Sequence, residues 1–182
     1  MPDPMTLSLN EVQSLARKAA RGAGFSWGMA DEAGRAVRFL HEWGLDGAAT
    51  LTFLLDNRGT VVGQCGLTLA CRLSDQPPRG REEHVDVIAP ALLLFGLGSS
   101  GFRMTWQDGF AYVGEGLSVV GTLPARGTMI VEPCGTNSSH TSICHRATCD
   151  DTALTKLELF ARRTYAPATE QSRTLGAGGA DD

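Results

Sequence analysis

Residues 7–44, LSLNEVQSLARKAARGAGFSWGMADEAGRAVRFLHEWG, carry the pattern that most restricts how this chain can fold. Ser8 and Glu11 make a Ser-x-x-Glu capping box, in which two side chains satisfy amides that the first turn of a helix leaves without partners. Leu9, Val12, Leu15, Ala16 and Ala19 then recur at helical spacing, so one face is apolar. Arg17, Lys18 and Arg21 stand off that stripe in the last turns, where positive charge complements the helix dipole. Gly22 and Gly24 are the stop, because glycine takes a left-handed cap conformation at little cost. Ser26 is placed to cap a second helix, with the stripe Met29, Ala33, Val37, Leu40 and Trp43, ending at Gly44. A helical hairpin is expected, and the rest of the chain must cover it.

Downstream, GAATLTFLLDN at 47–57 reads as a third helix with Leu51, Leu54 and Leu55 inward, which closes a helical part at 7–57. A sheet part is expected over 60–132. Within it Leu67, Leu69, Cys71 and Leu73 alternate with Thr68, Ala70 and Arg72, the period of a half-buried strand. SDQPPRGREE is a polar loop, Val85 and Val87 suggest a short strand, and Pro90 opens a short buried helix through Phe95. Phe102–Trp106 and Phe110–Val113 flank Gln107-Asp108-Gly109, a strong hairpin signal. Leu117–Val120 and Thr128–Glu132 add strands. A polar Cys/His loop follows at 133–150, then a closing helical segment at 151–175 capped by Asp150 or Asp151, and a loose glycine-rich tail at 176–182. Helices first, short antiparallel strands next and a helix last make this one α+β domain rather than an alternating α/β fold.

Composition narrows the function classes. A formal charge of −4 over 182 residues argues against nucleic acid as a partner, because phosphate neutralisation needs a basic surface. The most apolar stretch, APALLLFGL, is far short of the roughly 20 residues that span a bilayer, so no membrane segment is expected. MPDPMTLSLNE has acid where a secretory leader needs base. Five cysteines form an odd set and fit free thiols in a reducing cytoplasm better than a disulfide frame. Trp27, Trp43 and Trp106 sit at core spacing and are expected in packing.

SLNEVQSLARKAARGAGFSWGMADEAG near the start and LELFARRTYAPATEQSRTLGAG near the end resemble the two end motifs of a bacterial family of unknown function, domain-of-unknown-function family 3726. CGLTLACRLSD and APALLLFG fit its middle more loosely. The resemblance implies a bacterial, soluble, stand-alone domain and carries over no activity and no catalytic residue. The tail GAGGADD is less regular than the continuation of that closing motif.

Three constellations have the residue types for chemistry. In the first, Arg17, Lys18 and Arg21 adjoin Gly22 and Gly24, where amides can converge on an anion and guanidinium groups can grip carboxylate or phosphate. Tyr165 and Arg173, with Arg162, Arg163, Thr169, Glu170 and Ser172, would join them if the last helix packs beside the first. The plainer reading is a solvated, dipole-matched helix end. In the second, Cys134, His140, Cys144 and Cys149, with His145 nearby, are soft ligands of the kind that hold zinc tetrahedrally. No Cys-x-x-Cys pair is present, so a plain loop with partly buried thiols is the competing reading. A nucleophilic cysteine there would need a depressed thiol pKa. The third, Gly96-Leu97-Gly98-Ser99-Ser100-Gly101, matches a dinucleotide fingerprint in letters only, since a strand rather than a helix follows it. Ser118 is not in a Gly-x-Ser-x-Gly elbow, and no phosphate-loop Gly-Lys-Ser/Thr is present.

The expected function is binding of a small anionic metabolite, as an enzyme, an enzyme subunit or a binding protein. The alternative is an accessory or interaction protein whose Cys/His loop holds zinc or contacts a protein partner, including a second copy of the chain.

Overall fold

The computed structural model of the chain describes residues 5–59, 63–98, 101–135 and 143–164. A short strand β1 (Met5–Ser8) runs into α1 (Leu9–Gly22). The capping box closes as expected: the Ser8 amide donates to Glu11 Oε2 at 2.8 Å, and the Glu11 amide donates to Ser8 Oγ at 3.2 Å. That backbone hydrogen bond, first of all, holds the Glu11 carboxyl below its ordinary range. Ser26 caps α2 (Trp27–Glu42) through the Met29 amide at 3.3 Å, and Asp46 caps α3 (Gly47–Asp56) through the Ala49 amide at 2.9 Å.

The first interhelical turn is a Schellman motif. Phe25 donates its amide to the Ala20 carbonyl at 3.1 Å and Gly24 donates to Arg21 at 2.9 Å, with Gly24 left-handed at φ +89°. The second turn repeats it, Leu45 to Leu40 at 2.8 Å and Gly44 to His41 at 3.1 Å. Between them α1 and α2 lie antiparallel over a seam of Ala16, Ala19, Ala20, Ala30, Ala33 and Val37, all fully buried. Small side chains let two helices approach closely, which is why alanine occupies so much of this seam.

A two-residue strand β2 (Gln64–Cys65) leads into α4 (Gly66–Asp75). This corrects the expected strand at 67–73. Leu67, Ala70 and Leu73 recur every three residues and Leu69 and Leu73 are four apart, and all four are buried on one helix face, while Cys71 is only partly covered. Over so short a span the same leucines satisfy both periods, and the tertiary core decided between them. After β3 (Glu82–Ile88), Pro90–Leu92 forms a single 3₁₀ turn and α5 (Leu93–Leu97) follows, both buried as expected.

The hairpin forms where Asp108-Gly109 predicts it, β4 (Phe102–Trp106) against β5 (Gly109–Val113). With β6 (Leu117–Val120) and β7 (Arg126–Pro133) they build a six-stranded sheet in the order β2-β3-β7-β4-β5-β6. All neighbours are antiparallel except β2 and β3. Met104, Ala111, Met129 and Val131 on one face are fully buried in the core they share with the helices, while Arg103, Thr105, Tyr112 and Ile130 on the other face remain partly exposed.

The loop expected at 133–150 is not all loop. Arg146–Cys149 is a strand, β8, paired antiparallel with β1 from Met5↔Cys149 to Ser8↔Arg146. Asp150, not Asp151, then caps α6 (Asp151–Arg162) through the Ala153 amide at 3.0 Å. Leu154 and Leu157 of α6 enter the core, Lys156 Nζ reaches Asp56 Oδ2 at 2.6 Å, and Thr52 Oγ1 donates to the Ala153 carbonyl at 3.3 Å. The rest of the closing segment, from residue 165, and the tail lie outside the described residues.

The helix α6 packs along α1. At the crossing, a Cβ on Gly22 would stand 1.8 Å from the Phe160 carbonyl oxygen. Gly22→Ala is therefore expected to destabilise the fold by roughly 3 kcal/mol, since backbone would have to move. Gly28→Ala, with nothing within 4 Å, is expected to stabilise it by about 0.5 kcal/mol. Urea unfolding of the two variants checks both signs.

Candidate functional site

The basic turn expected to cradle an anion is divided among three surroundings. The amides of Ala23, Gly24 and Phe25 all point back into α1, at 2.9, 2.9 and 3.1 Å from its carbonyls, so the turn presents none of these donors to a ligand. Gly22 is a packing point and Gly24 a helix stop. Arg21 Nη1 donates to the Phe25 carbonyl at 2.8 Å, and Arg58 donates to the carbonyls of Ala23 and, at 3.2 Å, Gly24. Both arginines thus close the turn from inside. Trp27 is 62% exposed rather than in the core, and lies beneath the Arg21 guanidinium at 4.8 Å.

Lys18 faces a groove between α1 and α6, with Glu11, Ser14, Glu158 and Arg162. Two acids and two bases share it, so its charge is balanced. Arg17 lies on the other side of α1, in a polar groove of about 430 Å³ between α1 and α2, with Asn10, Gln13, Ser14, Asp31 and Arg35. Its Nε holds Asp31 Oδ1 at 2.7 Å, and its guanidinium lies 5.9 Å from the Trp27 ring. Arg35 reaches Glu32 at 3.2 Å through Nη1.

Arg38 sets the polarity of that groove. It donates to Asn10 Oδ1 at 2.6 Å and Gln13 Oε1 at 3.4 Å, with its Nε on Glu42 at 2.8 Å. Each amide oxygen thus accepts from Arg38, and the NH₂ groups keep their donors for other partners. With Ser14 and the guanidinium groups of Arg17 and Arg35, donors outnumber the Asp31 carboxylate among the described residues of the groove. Sequence reading named Arg17 but not Asn10, Gln13, Ser14 or Arg35. The spacing 10, 13, 14, 17 was the signal, a polar stripe at helical period on the face of α1 beside the alanine seam. Tyr165 and Arg173 lie outside the described residues, as do Thr169, Glu170 and Ser172, while Arg163 stacks on Phe160 at 4.6 Å.

The cysteines go to separate places. Cys149 is buried, its Sγ 3.7 Å from His41 Nε2. Cys144 is exposed beside Gly44, its amide donating to the Glu42 carbonyl at 2.8 Å. Cys134 is tied by its amide to the Gly101 carbonyl at 2.8 Å, at the far end of β7. His140 lies outside the described residues, and His145 is exposed. Among the described residues no three His, Cys, Asp or Glu side chains gather as a metal site. Burial pushes the Cys149 thiol up to about 11 and also raises Cys134 and Cys71, the reverse of what a nucleophile needs. His41 is buried and accepts the Ala48 amide at 3.2 Å; burial, more than Asp46 opposes it, lowers its pKa. The third constellation fails structurally as expected: α5 precedes Gly98 and β4 follows Gly101, so no helix N-terminus faces a pyrophosphate.

The class is thus an α+β domain of a helical hairpin, further helices and a mostly antiparallel sheet, carrying a donor-lined groove between its first two helices. Residues 7–83 match the model of a family described as Protein of unknown function (DUF3726). The matched segment contains the whole hairpin and its groove and stops before the closing motif of α6. No curated protein and no solved structure matches the chain.

Two outcomes follow from these surroundings. Iodoacetamide at pH 8 is expected to label Cys144 in the native protein and to reach Cys149 only after denaturation, as read by mass spectrometry. Because the folded protein binds a proton on His41 less readily than the unfolded chain, its stability is full above the ordinary histidine value of 6.5 and is lost as pH falls below it. His41→Gln should flatten that slope in urea titrations between about pH 7.5 and 5.

Proposed function

We propose that this protein binds a small anionic metabolite, a carboxylate or phosphate, in the groove between α1 and α2, and that it does so in a bacterial cytoplasm. The observation that carries the reading is the direction of the hydrogen bonds: Arg38 takes the acceptor ends of Asn10 and Gln13, so that two amide NH₂ groups, the Ser14 hydroxyl and the guanidinium groups of Arg17 and Arg35 line one opening. Charge-assisted hydrogen bonds from a planar guanidinium suit a carboxylate or phosphate oxygen pair. Asp31, the one acid among the described residues lining the groove, is already held by Arg17 and competes with an incoming anion for it. The cytoplasmic part of the reading rests on five cysteines that are all free, which fits a reducing compartment. No helix among the described residues is long and apolar enough to cross a membrane.

Calorimetric titration and thermal shift with succinate, citrate and inorganic phosphate test the reading. At least one of these should bind saturably. Arg17→Ala and Arg35→Ala should each weaken it about tenfold or more, the worth of a charged hydrogen bond. Lys18→Ala, in the other groove, should leave affinity within about twofold, and Asp31→Asn should strengthen it by removing the competitor. Equal losses from Lys18→Ala and Arg17→Ala would overturn the assignment to this groove.

A further inference from the structure

A second cavity, of about 410 Å³, opens between the start of α3, the 3₁₀ turn at Pro90–Leu92 and the segment joining β6 to β7. Its walls are Leu45, Phe53, Ala89, Ala91, Leu123 and Pro124, among other apolar groups, and its size lies in the range of small-molecule sites. Among the described residues Asp46 is the only charged one lining it.

At the start of α3 the polar atoms left beside this cavity are acceptors. The amide donors at the N-terminus of α3 are all spent: Gly47 on the Leu45 carbonyl at 3.0 Å, Ala48 on His41 at 3.2 Å, Ala49 on Asp46 Oδ1 at 2.9 Å and Thr50 on the Asp46 carbonyl at 3.1 Å. The Thr50 hydroxyl donates to that same carbonyl at 2.8 Å, so its lone pairs are what remain. Asp46 Oδ1 is taken by the cap, and Oδ2 has no hydrogen-bond partner among the described residues. His41, the nearest basic side chain at 4.0 Å from Oδ1, is kept neutral by burial and supplies no counter-charge. A helix N-terminus that ordinarily welcomes an anion has here been turned into an acceptor at the rim of an apolar slot.

The backbone supports the same site. Ala89 is left-handed, at φ 56° and ψ 55°, although it carries a Cβ and precedes a proline. Its amide donates to the Ala125 carbonyl at 2.9 Å, tying two walls of the cavity together, and its own carbonyl receives the Leu92 amide at 3.1 Å. Strained non-glycine residues held by such over-determination gather at ligand sites.

We propose that this cavity binds a small organic cation, a protonated amine on an apolar body, with the ammonium on Asp46 Oδ2 and the body against Phe53, Ala89 and Leu123. The site is separate from the anion groove and stands or falls independently of it. Probes on one phenylethyl body distinguish charge from shape: 2-phenylethylamine, 2-phenylethanol and 3-phenylpropionate, titrated by calorimetry and by ligand-observed NMR. The amine should bind at least tenfold more tightly than the alcohol, and the carboxylate should not bind in this cavity. Asp46→Asn keeps a helix-capping side chain and should remove the preference for the amine. Ala49→Leu fills the cavity from α3 and should abolish binding of amine and alcohol alike, with the fold intact by circular dichroism, while Arg17→Ala should change neither. Saturable binding of none of the three probes, an amine no tighter than the alcohol, or amine binding unchanged in Asp46→Asn or Ala49→Leu would overturn the proposal.

Discussion

The fold depends on how closely α6 can lie against α1. At Gly22 the only thing between the two backbones is a hydrogen atom, and a methyl there would occupy the Phe160 carbonyl. That approach lets Leu154 and Leu157 reach the core under α1 and α3, and it sets β8 against β1 just before α6 begins. Residues distant along the chain, Met5 and Cys149, thereby become cross-strand partners. The resulting three-way packing of α1 with α2 and α6 leaves two grooves on α1, and each groove inherits a different part of the same basic cluster.

The polarity of those surfaces is set by hydrogen-bond direction more than by composition. In the α1–α2 groove Arg38 consumes acceptors and leaves donors. At the start of α3 the cap consumes donors and leaves a carboxylate oxygen. Both arise from ordinary structural needs, a salt-bridged arginine at the end of α2 and a capped N-terminus at α3. Satisfying a buried or half-buried polar group on one side commits the opposite side to one polarity, since an amide has both a donor end and an acceptor end. The polarity of each groove in this domain is therefore a by-product of the same accounting that stabilises its helices.

The thiols and histidines obey a related rule. Cys149 and His41 meet inside the core, where low polarity favours the neutral form of each. Their contact fills space between α2 and β8 and has the opposite electrostatics to a nucleophile–base pair. Cys134 and Cys144 have different surroundings, the Cys134 amide held by the Gly101 carbonyl just past β7 and the Cys144 amide by the Glu42 carbonyl at the end of α2.

Local rules written in the chain determined the helical hairpin, its caps at Ser8 and Ser26, its glycine stops, the third helix, the Asp-Gly hairpin and the α+β class. Each depends on contacts within a few residues, so neighbouring letters suffice to specify it. The helix at 66–75 was not legible, since its leucines fit two periods and only the core facing them chose one. Nor were β1 and β8, whose pairing spans most of the chain and whose four residues apiece carry no period of their own. For binding, sequence singled out Arg17, Lys18 and Arg21 as a unit because they are adjacent. The fold separated them because successive residues on a helix point about 100° apart, and it put Arg17 instead with Arg35 from another helix. Which side chains share a cavity is a property of packing, and packing is decided by residues far apart in the chain.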